Sequence, residues 1–174
     1  MSVIEVLDKF GKYVKQQSKS NLTKRRKKDT GGLYDGIAYK VEETKTGAKL
    51  TFSFGSADDY WMFVDKGVKG KTSSAKAPNS PFRFGTGTGR SGGLTSGIKA
   101  WVKRKRFQFS DKKTGRFLSY ESTSFLIIRS IWNKGLATTN FFTKPFEQAF
   151  QRVPDDIYAA FGLELDKKLN VILK

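Results

Sequence analysis

The sequence predicts an α+β fold, in which N- and C-terminal helices pack on a small antiparallel sheet and an inserted loop and helical lobe interrupts the chain. Three observations predict it. Apolar residues recur every three or four positions near both ends, which is typical of amphipathic helices. Apolar and polar residues alternate over 37–43 and 49–54, as in half-buried strands that helices can cover. A stretch rich in Gly, Ser, Thr and Lys then separates these strands from two further helical patterns.

Length and composition favour one domain with a phenylalanine-rich core. The 174 residues are enough to bury a core without a second domain, so we expect a single domain over 1–174, with 67–140 inserted within it. Hydrophobic residues make up only 37% of the chain, but aromatic residues reach 14% and include 15 Phe. Phenylalanine rather than aliphatic side chains should therefore fill the interior.

The N-terminal pattern predicts a helix over residues 2–19. Ser2 and Glu5 have the spacing of a capping box. Gly11 interrupts the pattern, and a basic run that ends at 31–32 in Gly-Gly predicts a mobile loop. The apolar face of this helix would consist of Val3, Val6, Leu7, Phe10, Tyr13 and Val14.

The two alternating stretches predict an antiparallel hairpin that turns at Gly47. Residues 60–64, YWMFV, predict a third, buried strand, which Asp65-Lys66-Gly67 would end. Gly67 suits a turn with positive φ, which other residues resist.

Two helices and a hairpin follow a long loop in the inserted region. The composition of 67–97 predicts an exposed loop, and a loop of that length is usually functional or disordered. Helices are predicted over 94–106 and 122–134, the second with Gly135 as its C-cap. Between them, a hairpin is expected around 113–115, Lys-Thr-Gly.

The C-terminal part is predicted to be helical. Thr143 is expected to cap a short helix with Pro145 in its first turn, and Pro154 to begin a final helix. The apolar face of the short helix would be Phe146, Ala149, Phe150 and Val153, and that of the final helix Ile157, Phe161, Leu165, Leu169 and Ile172.

Composition excludes several kinds of chemistry. The chain has no Cys and no His, which rules out thiol nucleophiles, disulfides, Cys/His zinc sites and histidine acid–base catalysis. The first residues lack the pattern of a signal peptide, and no apolar run is long enough to span a bilayer, so we expect a soluble protein without membrane contact. We predict neither a cofactor nor enzymatic activity.

Two short motifs match nucleotide-binding patterns only formally. Gly87, Gly89 and Gly92 fit G-x-G-x-x-G, but the βαβ context that the motif requires is absent. The GKT at 70–72 lacks the earlier glycine of a P-loop. A metal-dependent nuclease site remains a minor alternative, because two-metal chemistry needs converging carboxylates. Its ligands would come from Asp58, Asp59, Asp65, Glu42 and Glu43, with Lys66 nearby.

The net charge of +17 points to a polyanionic partner, most often nucleic acid, although a solvated surface or an acidic protein partner fits as well. Two clusters are candidates for polyanion contact. The second also lies where cations suit a helix dipole, and aromatic residues interleave with it in WVKRKRFQF, as in single-strand binding. The clusters are Lys24, Arg25, Arg26, Lys27 and Lys28, and then Lys103, Arg104, Lys105 and Arg106.

Three stretches together resemble the HK97 gp10-like family of phage tail-completion and head–tail joining proteins. DTGGLYDGI (29–37) is similar to that family's Thr-Gly-x-Leu-x-x-Ser-Ile element, with Gly36 where Ser is usual. YWMFVDKG (60–67) resembles Tyr-x-x-Phe/Tyr-Val-Glu-x-Gly-Thr, with Asp65 in place of Glu and Val68 in place of Thr. FFTKPFEQAF (141–150) is similar to the Pro-Phe-Leu-x-Pro-Ala-Phe segment, without its first proline. The stretch 68–140 is largely uncovered and longer than the family's usual gap.

The resemblance implies a structural role in a tailed-phage virion. The chain would be made in the host cytoplasm and would form a ring around the DNA path at the head–tail junction or in the tail. Its partners would be copies of itself, other neck, adaptor or tail proteins, and packaged DNA through non-specific contact. Assembly contacts would include Asp65, Lys66, Gly67, Arg83 and Arg90. The main alternative is a non-virion protein that binds DNA without sequence preference.

Overall fold

The computed structural model describes residues 2–44, 47–86, 93–153 and 155–157. In these ranges it has α-helices and a two-stranded antiparallel sheet, which confirms the predicted α+β class. The chain divides into two compact units. We call Met1–Asp65 with Thr139–Lys174 the sheet unit, and Lys66–Thr138 the inserted unit. The range predicted to be inserted was 67–140.

Helix α1, Val3–Lys24, opens the sheet unit and begins with the predicted capping box. The backbone N–H of Glu5 donates to Ser2 Oγ at 3.2 Å, and the backbone N–H of Ser2 donates to Glu5 Oε2 at 2.9 Å. The helix continues past the predicted end at residue 19, so the basic cluster begins inside its last turn. A short helix α2, Gly32–Gly36, then follows the predicted loop, in a stretch for which the sequence predicted no element.

The predicted hairpin is confirmed. Strand β1, Ala38–Thr44, pairs antiparallel with β2, Gly47–Ser53. Both α1 and the C-terminal helix α6, Thr143–Phe150, contact this sheet. Residues 45–46 of the predicted turn lie outside the described residues.

The predicted third strand is wrong, because residues 61–66 form helix α3, Trp61–Lys66. A 3-10 turn, Gly55–Ala57, leads into it. An apolar run without period fits either a buried strand or a helix. In the helix only Trp61 and Val64 pack on the core, while the intervening Met62 and Phe63 are exposed.

Phenylalanine rings fill the core of the sheet unit, as the composition predicted. Phe52 lies edge-on to Phe142 with ring centroids 5.1 Å apart, and Phe10 lies edge-on to Phe146 at 5.3 Å. Trp61 stacks on Phe54 at 4.1 Å. Edge-to-face and offset-stacked pairs at these distances stabilise beyond the apolar area that they bury.

The inserted unit contains the two predicted helices. Helices α4, Gly93–Lys105, and α5, Tyr120–Lys134, pack against each other, and Gly135 ends α5 with φ +79° as predicted. The hairpin predicted between them is reduced to one bridge, between Ser110 and Phe117.

The loop predicted as exposed over 67–97 is packed where it begins. Val68 bridges Leu136, and Lys69 bridges Arg83, so backbone pairing fixes this segment. Small residues allow the close approach, and those buried are Gly67, Gly70, Ala77 and Ser80. The Gly-rich tip with Gly87, Gly89 and Gly92 lies outside the described residues.

Helix α6 begins at Thr143, with Pro145 in its first turn as predicted. Phe146, Ala149 and Val153 pack against the core, whereas Phe150 is mostly exposed. Of the predicted final helix, 155–157 is helical. Its other predicted positions lie outside the described residues, and these are Pro154, Phe161, Leu165, Leu169 and Ile172. No helix in the described ranges is long and apolar enough to cross a bilayer.

Candidate functional site

Asp65 is fully buried, and its carboxylate caps helix α6 from a position 77 residues earlier in the chain. Oδ1 accepts hydrogen bonds from the backbone N–H of Phe142 at 2.9 Å and of Thr143 at 3.2 Å. Oδ2 accepts from the Thr143 hydroxyl. These are donors that the start of a helix leaves without an intrahelical partner, and a negative charge suits that end. The prediction that Thr143 caps this helix is wrong: Thr143 is its first residue, Phe142 is the N-cap without a side-chain hydrogen bond, and the Thr143 hydroxyl donates to Asp65.

The backbone around Asp65 is joined to the same segment. The Asp65 carbonyl accepts from the N–H of Thr139 at 3.0 Å and of Asn140 at 2.9 Å. The Thr139 hydroxyl donates to the Val64 carbonyl at 2.6 Å. Side chain and backbone together therefore fix the end of α3 against the start of α6, inside the sheet unit.

Gly67 opens the inserted unit with φ +72°, which confirms the positive φ expected of it. A Cβ at this position would come within 2.6 Å of the Leu136 carbonyl oxygen and 2.7 Å of the Thr138 nitrogen. Next to it, the Lys66 carbonyl accepts from the Thr138 hydroxyl at 2.8 Å. Asp65 and Gly67 were both predicted to make assembly contacts, but both are buried with their contacts inside the chain, so their role is to shape the fold.

The three stretches that carry the resemblance each contribute side chains to the core of the sheet unit. Leu33 and Ile37 come from the first, Trp61 from the second, and Phe141 and Phe142 from the third. Asp65 joins the second stretch to the third directly. The sequence located each stretch but gave no sign of this contact.

The departure at Gly36 has a packing reason. A Cβ there would lie 2.9 Å from the carbonyl carbon of Phe54, and even closer to its oxygen. The Cα of Gly36 also lies 3.5 Å from where the Cβ of a residue at 55 would stand. Two glycine backbones therefore pack face to face, and a serine would not fit at position 36.

Both predicted basic clusters end a helix in the same way. After α1, the N–H of Lys27 donates to the Leu22 carbonyl at 2.9 Å and that of Arg26 to Thr23 at 3.0 Å. After α4, Phe107 donates to Val102 at 3.0 Å and Arg106 to Lys103 at 3.2 Å. This double pattern is the Schellman motif, whose left-handed position usually holds glycine. Here it holds arginine, with φ +52° at Arg26 and +51° at Arg106.

The surroundings of the two clusters differ. In the sheet unit, Lys28 Nζ lies 4.1 Å from the centre of the Tyr34 ring and Lys19 Nζ lies 4.9 Å from it, as in cation–π contacts. In the inserted unit, Phe107 follows the cluster directly, and its ring centroid is 5.9 Å from that of Trp101 and 5.2 Å from that of Phe109. All residues of both clusters are exposed.

Positive charge is concentrated in the inserted unit. Of 33 Lys and Arg, 16 lie between residues 66 and 138, against 2 of the 16 Asp and Glu, which gives this unit a net charge of +14. The sheet unit carries the remaining +3. The sequence contained this asymmetry, but only the division into units makes it visible.

Large apolar side chains are exposed on both units. On the sheet unit, Tyr60, Met62 and Phe63 are between 41% and 47% exposed and directly follow exposed Asp58 and Asp59. On the inserted unit the exposed set is Phe107, Phe109, Phe117, Phe125, Leu126 and Trp132. Side chains of this kind mark an interaction site where they form one contiguous apolar patch.

Of the other predicted contact residues, Arg83 is exposed but held to its own unit. Its guanidinium donates to Ser74 Oγ at 3.1 Å and to the Gly70 carbonyl at 3.5 Å. Arg90 lies outside the described residues. Lys66 is half-buried, and its backbone carbonyl accepts a hydrogen bond from the Thr138 hydroxyl.

The described part of the chain contains no group of three or more Asp, Glu, His or Cys that could hold a metal ion. Three of the five acids considered for a nuclease site have other contacts. Asp65 caps α6, Asp58 accepts from the Phe54 N–H at 2.9 Å, and Glu42 pairs with Lys40. The hydrogen bond and charge of Lys40 lower the pKa of the exposed Glu42 carboxyl.

Comparison with protein-family models, with curated proteins and with solved structures finds no match for this chain.

Proposed function

We propose that this chain is a structural virion protein of a tailed phage, a head–tail connector or tail-completion component that forms a ring around the DNA path. The observation that carries the proposal is the convergence of the three resembling stretches on one core, with Asp65 capping α6. The proposed role needs no catalytic group, because it depends on contacts between the surfaces of neighbouring proteins.

Charge supports a head-to-tail contact between copies. A two-fold symmetric contact through the inserted unit would bring two surfaces of +14 together, which Coulomb repulsion opposes. A heterologous contact instead pairs the inserted unit of one copy, at +14, with the sheet unit of the next, at +3, so the repulsion between net charges is smaller. Heterologous contacts generate rings when their rotation closes.

Two exposed surfaces fit such a contact. On the sheet unit, Met62 is 47% and Phe63 41% exposed beside Asp59. On the inserted unit, α5 exposes Phe125, Arg129 and Trp132, which lie on one helix face because they are spaced by four and three. The proposed contact therefore combines apolar burial with one complementary charge. The neighbours of the ring would be other neck, adaptor or tail proteins.

Cysteine cross-linking tests the direction of this contact, because the chain has no native Cys. We would mix Met62→Cys with Phe125→Cys, each as a single variant, under oxidising conditions. A head-to-tail contact predicts a mixed dimer from the pair, and a ladder of oligomers from the double variant. Phe150→Cys, at an exposed aromatic on α6, is the matched control and should not cross-link to Phe125→Cys.

If the subunits associate only when other neck or tail proteins are present, the cross-links will form in assembled particles but not between isolated chains. The experiment is therefore repeated on particles made with the double variant. Efficient dimers from Met62→Cys alone would indicate a two-fold contact and contradict the head-to-tail arrangement. Particles without any ladder would contradict the ring.

A further inference from the structure

Beyond the virion role, and independently of it, we propose that the inserted unit binds single-stranded nucleic acid. The surface consists of the end of α4 and the segment that follows it. Lys103 and Arg106 would contact phosphates, and the rings of Phe107 and Phe109 would stack on bases. We call these four residues the α4-end surface.

The end of α4 carries a local excess of positive charge. Residues 93–110 contain no acidic residue, while positions 103–106 are four consecutive exposed cations. The nearest acid in sequence, Asp111, is engaged in its own turn, where Oδ1 accepts from the N–H groups of Lys113 and Thr114, each at 2.8 Å. These bonds lower the pKa of its carboxyl, so it stays ionised but directed at the turn. Phosphates would therefore meet a local excess of positive charge.

Two exposed aromatic rings lie next to these cations in the sequence. The side chain of Phe107 is 40% exposed to solvent and that of Phe109 is 38% exposed. Their centroids are 5.2 Å apart, and Trp101 continues the series at 5.9 Å from Phe107. Consecutive rings beside a cationic run are the elements from which single-strand binding surfaces are built, since every base has a face that stacks.

The backbone holds these rings in place before any ligand arrives. The N–H of Phe107 donates to the buried Val102 as part of the helix end, and the N–H of Phe109 donates to Thr123 Oγ at 3.3 Å. The Phe109 carbonyl accepts from Leu118 at 2.8 Å. A pre-ordered surface loses little entropy on binding.

The exposed rings also distinguish the ligand class. A duplex would need only the cations, because its bases are already stacked, whereas the unpaired bases of a single strand can stack on the rings. The cluster on α1 has five cations rather than four and the same helix end, but no pair of exposed rings follows it. We therefore expect binding at the α4-end surface and not at Lys24–Lys28.

The left-handed arginines supply a matched pair of variants. Arg106→Gly removes one charge at a position whose φ favours glycine, so the helix end is kept. Arg26→Gly makes the same change in the same motif on the other unit. For the rings, Phe109→Leu removes stacking, Phe109→Trp retains it, and Phe150→Leu is the control at an exposed aromatic of the sheet unit.

The assay is fluorescence anisotropy of a labelled 20-nucleotide oligo-dT with the full-length chain, repeated over a range of salt concentrations. Removal of one cation that binds a phosphate should reduce the slope of log K against log[salt] by about 0.7, which we expect for Arg106→Gly and not for Arg26→Gly. Phe109→Leu should weaken binding about 5- to 100-fold, with Phe109→Trp close to wild type and Phe150→Leu unchanged. Circular dichroism verifies that each variant is folded.

Three outcomes would overturn the proposal. Equal weakening by Arg26→Gly and Arg106→Gly would mean that charge attracts DNA without a defined surface. Duplex of equal length bound as tightly as oligo-dT, or a folded Phe109→Leu with unchanged affinity, would remove the stacking role. Polyglutamate competing as well as oligo-dT would indicate an acidic protein partner instead. None of these outcomes alters the cross-linking test of the ring.

Discussion

Replacing Asp65 should destabilise the sheet unit more than any exposed acid would. In Asp65→Asn the side chain keeps its size, but the charge at the start of α6 is lost and an amide NH2 can face the Thr143 hydroxyl. Because a charge-assisted hydrogen bond and the charge–dipole interaction are lost, we expect the free energy of unfolding to fall by about 2–3 kcal/mol. In Asp65→Ala the N–H groups of Phe142 and Thr143 lose their acceptor in a buried setting, which raises the cost to about 3–5 kcal/mol.

Glutamate at position 65 is a stricter test, because the resemblance makes Glu the usual residue there. Asp65 has no exposed surface, so one more methylene must displace its neighbours. Overpacking of this kind costs about 1–3 kcal/mol. Asp65→Glu should therefore destabilise this chain, although it restores the family pattern.

Urea unfolding measures these costs at neutral pH. Trp61, stacked on Phe54 at 4.1 Å, is the tryptophan of the sheet unit, so a Trp101→Phe, Trp132→Phe background isolates its emission. Asp59→Asn, at an exposed acid just before α3, is the control and should stay within about 0.5 kcal/mol of wild type. An Asp65→Asn variant as stable as that control would refute the capping argument.

Four further changes have effects whose direction follows from the contacts. Gly11→Ala should destabilise by about 1–3 kcal/mol despite better helix propensity, since a Cβ would come within 2.7 Å of Tyr39 Cε2; a gain in melting temperature would contradict this. Gly67→Ala should cost more than about 2 kcal/mol in urea unfolding, because φ is positive and backbone atoms block the Cβ; a cost below about 0.5 kcal/mol would show that the turn adapts. Ser18→Ala should stabilise by about 1 kcal/mol, since Ser18 Oγ is buried without a hydrogen-bond partner among the described residues; destabilisation would reveal a partner. Hydrogen bonds from Thr114 and Lys113 hold the pKa of the Asp111 carboxyl below its ordinary value, so their stabilisation is present above the pKa of the unfolded chain and lost as pH falls through the lower pKa of the folded chain; the protection of the Thr114 amide, its exchange rate relative to the intrinsic rate at each pH, should fall there, and an Asp111→Asn variant with the same pH dependence would contradict the assignment.

Local signals predicted much of this fold. The capping box at Ser2 and Glu5, the hairpin at Gly47 and the C-cap at Gly135 each depend on residues within a few positions of one another, and each is confirmed. The strand predicted over 60–64 was wrong, because an apolar run without a period fits a helix as well as a strand.

The candidate sites depend on longer distances. The partners of Asp65 are 77 and 78 positions away, and no local pattern encodes such a contact. The sequence predicted that Lys103–Arg106 would lie at the C-terminal end of a helix. It could not predict the left-handed conformation of Arg106, because glycine is the residue that usually occupies such a position. The burial of Gly67, Ala77 and Ser80 could not be predicted either, because this segment is fixed by the bridges to Leu136 and Arg83.

Counting copies of the chain in purified phage particles tests the proposed ring most directly. Quantitative mass spectrometry against the portal protein would give the number of copies per portal ring. The account predicts a small, fixed, ring-like number. Absence from particles, with abundant protein in infected cells, would contradict it and favour a non-virion nucleic-acid-binding protein.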